Sequence, residues 1–343
     1  YDILRCLVGS EMCIRDSIKG IFKLGNRHKL SVGTEYIVDV LKSQTDNIAK
    51  EDAYTLALFA QDEIKLLRNL QALIGVRYIY HENFKNHATP NVALMYKPGK
   101  FNFRASYAAG FRTPTLSELY ATDIAKKNDR LTIGNLDLKP EKNNYFSLSA
   151  EYVHERFSVS VNAFYNNIRD MIDYNTIATG DKAMEQYGHK EVRQRDNIAE
   201  AKVHGINVSA NAYLGAGFNL SGGYTHLNTQ DVELEQPIDK SIKNAYNINA
   251  QWAHSWKIYR LNINLNGRIN SKRFSKSYGY APEYQLWDLN TRHSFNLKSV
   301  IIEPGFGMEN LFDYMDDRPY NSNYATLTPG RSFYISLSLK FKS

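Results

Sequence analysis

Residues 145–165 read YFSLSAEYVHERFSVSVNAFY, two alternating runs joined by a short polar turn. In the first run Phe146, Leu148, Ala150 and Tyr152 alternate with Ser147, Ser149 and Glu151. In the second, Phe157, Val159, Val161, Ala163 and Tyr165 alternate with Ser158, Ser160 and Asn162. A period of two places each set on one face of an extended strand. The stretch therefore predicts an antiparallel hairpin with one apolar face and one face of hydroxyls and amides.

The same arrangement recurs on both sides of it. Ile206 to Leu214, Tyr246 to Trp252, Tyr259 to Ile269 and Phe333 to Phe341 alternate in the same way, and their polar members are mostly Asn, Ser and Arg. These runs reach about ten residues, enough to cross a bilayer at a steep tilt, whereas sandwich strands are usually shorter. Aromatics end the apolar faces at Phe146 and Tyr152, Phe157 and Tyr165, and Phe333 and Phe341. Such aromatics form the interfacial girdles of membrane barrels. Short turns are expected near residues 25–26, 68–69, 98–99, 154–155, 215–216, 255–256 and 298–299. Long loops are expected over 41–50, 81–88, 111–142, 167–195, 228–242, 270–283 and 313–330. Short turns on one rim and long loops on the other suit an all-β, antiparallel transmembrane β-barrel of about fifteen strands. A soluble, sugar-binding β-sandwich is the rival fold.

Composition agrees with the barrel and narrows the function. Within 343 residues there are 24 Tyr and 16 Phe, and no apolar run is long enough for a membrane helix. That says nothing against a barrel, where only alternate residues meet lipid. The net charge is +6, but the basic residues are scattered instead of forming a nucleic-acid-binding stripe. Both cysteines, Cys6 and Cys13, fall in the opening string LRCLVGSEMCIRDS. That string resembles a peptide translated from sequencing adapters. We therefore expect residues 1–17 to be non-native and residues 18–343 to carry the fold. The chain opens without the basic and apolar pattern of a signal peptide, so a C-terminal portion of a longer protein is expected.

The longest connection between strand-like runs is Phe111–Glu141, FRTPTLSELYATDIAKKNDRLTIGNLDLKPE. Connections this long are usually functional or disordered. The pairing of Phe111-Arg112-Thr113-Pro114 with Asn135, Leu138, Pro140 and Glu141 resembles the FRAP and NPNL boxes of TonB-dependent outer-membrane receptors. The strand YTLALFAQDEIKL (54–66) resembles that family's "YAQDE" strand. The end is similar too: Asn310-Leu311-Phe312-Asp313, then Pro329-Gly330-Arg331, then a last strand closing on the aromatic Phe341. The sequence departs from the boxes at Thr113, at the Asn135–Leu138 segment, which lacks the proline of NPNL, and at the two residues after Phe341.

The resemblance implies the last fifteen or so strands of a 22-stranded barrel, with the plug, the TonB box and about seven strands outside this sequence. It further implies active uptake of a scarce metal chelate, most simply a ferric siderophore, at the outer membrane of a Gram-negative bacterium. Cobalamin is the alternative cargo. Haem is disfavoured because residues 115–134 hold no His, and a passive porin is the alternative from another class. The implied partners are outer-membrane lipid and lipopolysaccharide, the TonB complex through the plug, and the chelate itself. The receptor would act as a monomer.

No nucleophile motif, HExxH or phosphate loop appears, so no enzyme, resident cofactor or metal site is expected. The histidine pair His81 and His87 and the acidic group Asp313, Asp316 and Asp317 read as solvated loop residues. Loop cations and aromatics are the candidate chelate contacts: Arg112, Tyr120, Tyr174, Tyr187, Arg193, Tyr278, Tyr280, Tyr320 and Tyr324. Arginine pairs with anionic oxygens, and aromatic rings stack on flat ligands. Arg112 reads equally well as a pin for its own loop.

Overall fold

A computed structural model describes residues 6–8, 11–43, 48–125, 129–198, 200–275, 279–316 and 329–342. In chain order the elements open with β1 (Cys6–Val8), β2 (Glu11–Leu24), β3 (His28–Ser43), β4 (Ile48–Leu67), β5 (Leu70–His81), β6 (Lys85–Tyr96) and β7 (Phe101–Arg112). Then come α1 (Leu116–Tyr120), β8 (Thr122–Ala125), β9 (Arg130–Ile133), β10 (Glu141–Val153), β11 (Phe157–Arg169) and β12 (Ile172–Thr179). They are followed by α2 (Gly180–Tyr187), β13 (Glu191–Asn197), β14 (Ala201–Gly215), β15 (Phe218–Asp231), β16 (Asn244–Trp256) and β17 (Tyr259–Asn270). The chain closes with β18 (Arg273–Ser275), β19 (Gly279–Ala281), β20 (Tyr284–Asn296), β21 (Val300–Glu309) and β22 (Ser332–Phe341).

One antiparallel sheet dominates, in the order β1-β2-β3-β4-β5-β6-β7-β10-β11-β14-β15-β16-β17-β20-β21-β22. Setting aside the three-residue β1, it has fifteen long strands, each hydrogen-bonded to its sequence neighbour in the sheet. This is the transmembrane barrel sheet that the alternation predicts, and it is not closed: among the described residues β22 pairs with β21 alone.

The two faces of the sheet differ as the sequence requires. Leu148 opposes Ala163 and Ala105, and Ser147 opposes Phe164 and Ser106, so register carries the two-residue period across strands. Leu148 is 63% exposed, Ile335 84% and Phe341 81%. No second sheet covers this apolar face among the described residues, which excludes the sandwich. A patch of that extent belongs against hydrocarbon. The opposite face, the lumen wall, is polar. Glu35 accepts hydrogen bonds from Arg15 Nη2 (3.2 Å) and Arg77 Nη2 (2.6 Å), and Lys29 pairs with Glu63 (3.1 Å). Asn249 Nδ2 donates to Asn264 (2.7 Å) and Asn266 (2.6 Å). Arg268 opposes Asn247, and Lys340 pairs with Glu303 on the same wall.

Several boundaries differ from the sequence reading. The expected loops at 41–50 and 81–88 are largely strand: β3 runs to Ser43, β4 starts at Ile48, and only 82–84 separate β5 from β6. The turn expected at 255–256 falls at 257–258. Strand structure also takes in Glu11–Ser17, with Glu11 opposite Leu41 and Ser17 opposite Glu35. Residues 11–17 of the string set aside as non-native are thus part of β2.

Candidate functional site

The connections over 113–140, 170–200, 232–243 and 271–283 lie on the rim opposite the short turns, since successive strands are antiparallel. Two of them, residues 113–140 and 170–200, fold together. Their strands form a separate sheet in the order β12-β13-β9-β8, in which β13 and β9 run parallel. Val192 and Ala183, both fully buried, pack with Leu131 between this sheet and α2.

Arg112 fixes where this loop unit meets the barrel. It ends β7 directly opposite Glu141, which opens β10. Its guanidinium donates through Nε and Nη2 to Glu141 (2.7 and 2.5 Å) and through Nη1 to Glu118 (2.9 Å). Glu141 also accepts from the Ile172 backbone N–H (2.8 Å), which binds the second loop to the same carboxylate. Thr113 precedes Pro114 and is held away from helix geometry. Helix α1 then starts on a capping box: Thr115 Oγ1 accepts from Glu118 N–H (3.1 Å), and Glu118 accepts from Thr115 N–H (2.9 Å). Glu118 thus serves both the helix cap and Arg112.

The rest of the FRTP…NLDLKPE segment is also structural. Leu116 packs on Leu41 and Ala53 of the barrel rim, and Leu119 packs on Leu138 and Ile172. Gly134 passes so close to Leu119 that an added Cβ would lie 2.5 Å from its carbonyl oxygen. Asn135 makes a tight turn by accepting from Asp137 N–H (2.9 Å) and donates to Arg195 O (2.9 Å). Asn197 accepts from Lys139 N–H (2.6 Å) and donates to the carbonyls of Lys139 (2.8 Å) and Asp170 (2.6 Å). Pro140 lies between that clamp and Glu141.

The C-terminal motif is a turn of the same kind. Asn310 is buried in a left-handed conformation and spans Tyr314 and the Pro329 carbonyl. Asp313 accepts from Arg331 N–H (2.7 Å), and Gly330 sits against the same carboxylate. Leu311 N–H donates to Trp287 O, Phe312 rests edge-on to Trp287, and Phe341 points outward.

Five of the nine candidate contacts belong to the loop unit. Arg112 stands at its base, with its guanidinium already shared between two carboxylates. Tyr120 bridges the two small cores, and burial pushes its hydroxyl pKa up, reinforced by Glu51. Tyr187 packs behind β13, and Arg193 Nε pairs with Glu191 (2.5 Å). Tyr174 lies 3.8 Å under the Arg195 guanidinium. Tyr280 sits apart on the β18–β19 hairpin, 59% exposed and next to Phe274. Tyr278, Tyr320 and Tyr324 lie outside the described residues, as does Asp317. His87 contacts the Phe84 carbonyl (2.9 Å) and His81 accepts from Asn83 N–H (3.1 Å), so both imidazoles have protein partners. Sequence reasoning missed Glu118, Arg130, Arg195 and Asn197. Only Glu118 left a trace, the Thr-x-x-Glu spacing of its capping box. The others become neighbours through a pairing between segments about sixty residues apart.

The family model described as TonB dependent receptor-like, beta-barrel matches residues 15–311. Among solved structures, the ferric enterobactin receptor PfeA of Pseudomonas aeruginosa, in mutant form, aligns with a TM-score of 0.76 at 19% identity, covering 96% of this chain and 54% of that one. The siderophore receptor PirA of the same organism aligns at 0.75 and 18%, covering 97% and 57%. The FrpB iron transporter of Neisseria meningitidis aligns at 0.69 and 14%, covering 96% and 54%. The chain thus spans little more than half the length of the structures it resembles. By the family match over most of its length, and with a barrel sheet to agree, it belongs to the TonB-dependent receptor family and carries part of that family's β-barrel.

Proposed function

We propose that this chain is the barrel portion of an outer-membrane receptor that captures a metal chelate, a ferric siderophore, at the cell surface and imports it with TonB-supplied energy. The observation that carries the reading is the folded unit of two surface loops set on the long-loop rim of a membrane-spanning sheet. A passive pore has no evident use for a structured, clamped cap of this kind. The names of the solved relatives, two siderophore receptors and an iron transporter, point the same way. A plug from outside this sequence would rest on the charged lumen wall around Glu35 and Glu63, and a monomer held in lipid and lipopolysaccharide would suffice. Residues 1–17 are proposed to be non-native. The loop aromatics and cations, Tyr278, Tyr280, Tyr320 and Tyr324 among them, are proposed chelate contacts.

The test is uptake of radiolabelled iron, supplied as siderophore chelates, by a receptor-deficient host expressing the receptor with and without TonB. Saturable, TonB-dependent uptake is expected. Entry that neither saturates nor needs TonB would establish a pore instead.

A further inference from the structure

The loop sheet has two unlike faces. On one, Val192, Leu131, Ile133 and Ala178 pack beneath Ala183 and Tyr187 of α2. By the two-residue period the other face presents Tyr174 and Thr176 of β12, Arg193 and Arg195 of β13, and Arg130 and Thr132 of β9. Register aligns them, with Tyr174 opposite Arg195, Arg193 opposite both Thr176 and Thr132, and Arg130 opposite Glu191. Three guanidiniums therefore lie along one short stripe, with Glu191 and, at the β8 edge, Asp123 as the acidic members of the face.

The three arginines are not equivalent. Arg193 is committed to Glu191. Among the described residues Arg195 and Arg130 have no carboxylate partner. The Arg195 guanidinium carbon lies over the Tyr174 ring, 3.8 Å from its centre, and the residue is half-buried. The Nε of Arg130 is buried and meets no acceptor. A desolvated guanidinium donor without an acceptor costs free energy that an incoming anionic oxygen would recover. A guanidinium already stacked on a phenol offers its other face to a second flat ring.

We infer that this face recognises an anionic, ring-bearing metal chelate, with Arg130 and Arg195 supplying charge and Tyr174 the base of the stack. The inference rests on the chelate-uptake reading and selects among chelates. A ferric tris-catecholate, a trianion with flat rings, fits the stripe. A neutral ferric tris-hydroxamate offers neither the charge nor the rings.

The test measures binding of radiolabelled iron as each of these two chelates to cells displaying the receptor, at several salt concentrations. It compares the parent with Arg130→Gln, Arg195→Gln and the double variant. Hydrogen exchange across residues 129–198 verifies that the loop unit is intact in each variant. We expect the parent to favour the catecholate, each single change to weaken that binding about tenfold, and the double change to weaken it further. The salt dependence of binding should also flatten, which a purely structural role would not produce. Arg195→Lys, which keeps the charge and loses the flat fork, should fall between parent and Gln. Undiminished catecholate binding by the double variant with the loop unit intact would overturn the inference alone, as would equal affinity of the parent for both chelates. A parent that binds neither would overturn the uptake reading itself, and the inference with it.

Discussion

At the scale of single residues, the conserving forces are hydrogen bonds between the two loops and the rim. Arg112→Lys keeps the charge but cannot reach Glu141 and Glu118 together. Because the Arg112 side chain is 42% exposed, the loss should be modest, about 1 kcal/mol. It should appear as faster hydrogen exchange in 113–140 and 170–198, with β2 to β6 unchanged. Asn197→Ala leaves three backbone groups without their partner and should open the same segments by about 1–2 kcal/mol. Asp129 gives the unit a pH response. A hydrogen bond with His189 (2.9 Å), helped by the Lys190 backbone, holds its carboxyl below the usual carboxylate range. The contribution is therefore complete above the ordinary carboxylate pKa and is lost as pH falls through the depressed one. The protection factor at residues 187–191, taken relative to the intrinsic exchange rate at each pH, should hold above the ordinary carboxylate pKa and fall as pH drops through the depressed one. Arg112 was legible as a residue with two readings, chelate contact or loop pin, and its bonds to Glu141 and Glu118 are of the kind a pin makes. Asn197 was not legible, because nothing near it in the chain announces a partner at Lys139.

Elements were legible wherever one face meets lipid and the other the lumen. Residues 157–165 alternate so cleanly that β11 could be drawn from the sequence alone. The signal fails where strands rise above the bilayer. Strands β3 and β4 have 16 and 20 residues, well beyond the ten or so that a crossing needs. In segments such as Lys50-Glu51-Asp52 both faces can be polar, so the alternation disappears while the backbone ladder continues. The helices follow local rules more closely. Thr115→Ala removes half of the capping box and should fray α1 by about 0.5–2 kcal/mol, seen as lost protection at Ser117 to Ala121. Helix α2 instead depends on packing. Ala183 has no exposed surface between it and the sheet, so Ala183→Leu should lift the helix at a cost of about 1–3 kcal/mol. Thermal melting followed at the loop unit would register that change.

For the whole molecule, one substitution at each of two adjacent positions separates its two environments. Leu148→Arg places a cation on the lipid face near the middle of β10 and should cost about 2–4 kcal/mol. Ser149→Arg points into the polar lumen and should leave folding almost unchanged. The heat-modified fraction on gels, with each change placed in a full-length receptor refolded into lipid vesicles, would compare them. The barrel was readable because lipid imposes a two-residue period over every crossing. The cap was hidden because the paired strands β9 and β13, of 4 and 7 residues, are too short to show a period and come from segments about sixty residues apart. That pairing also bears on how such a receptor can change over generations. A recombinant that takes residues 113–140 from a relative and keeps its own 170–200 would bring together two half-sheets that never matched. These loops should therefore be inherited, lengthened and exchanged as a pair, and a surface diversified by swapping one loop at a time should avoid this corner of the rim.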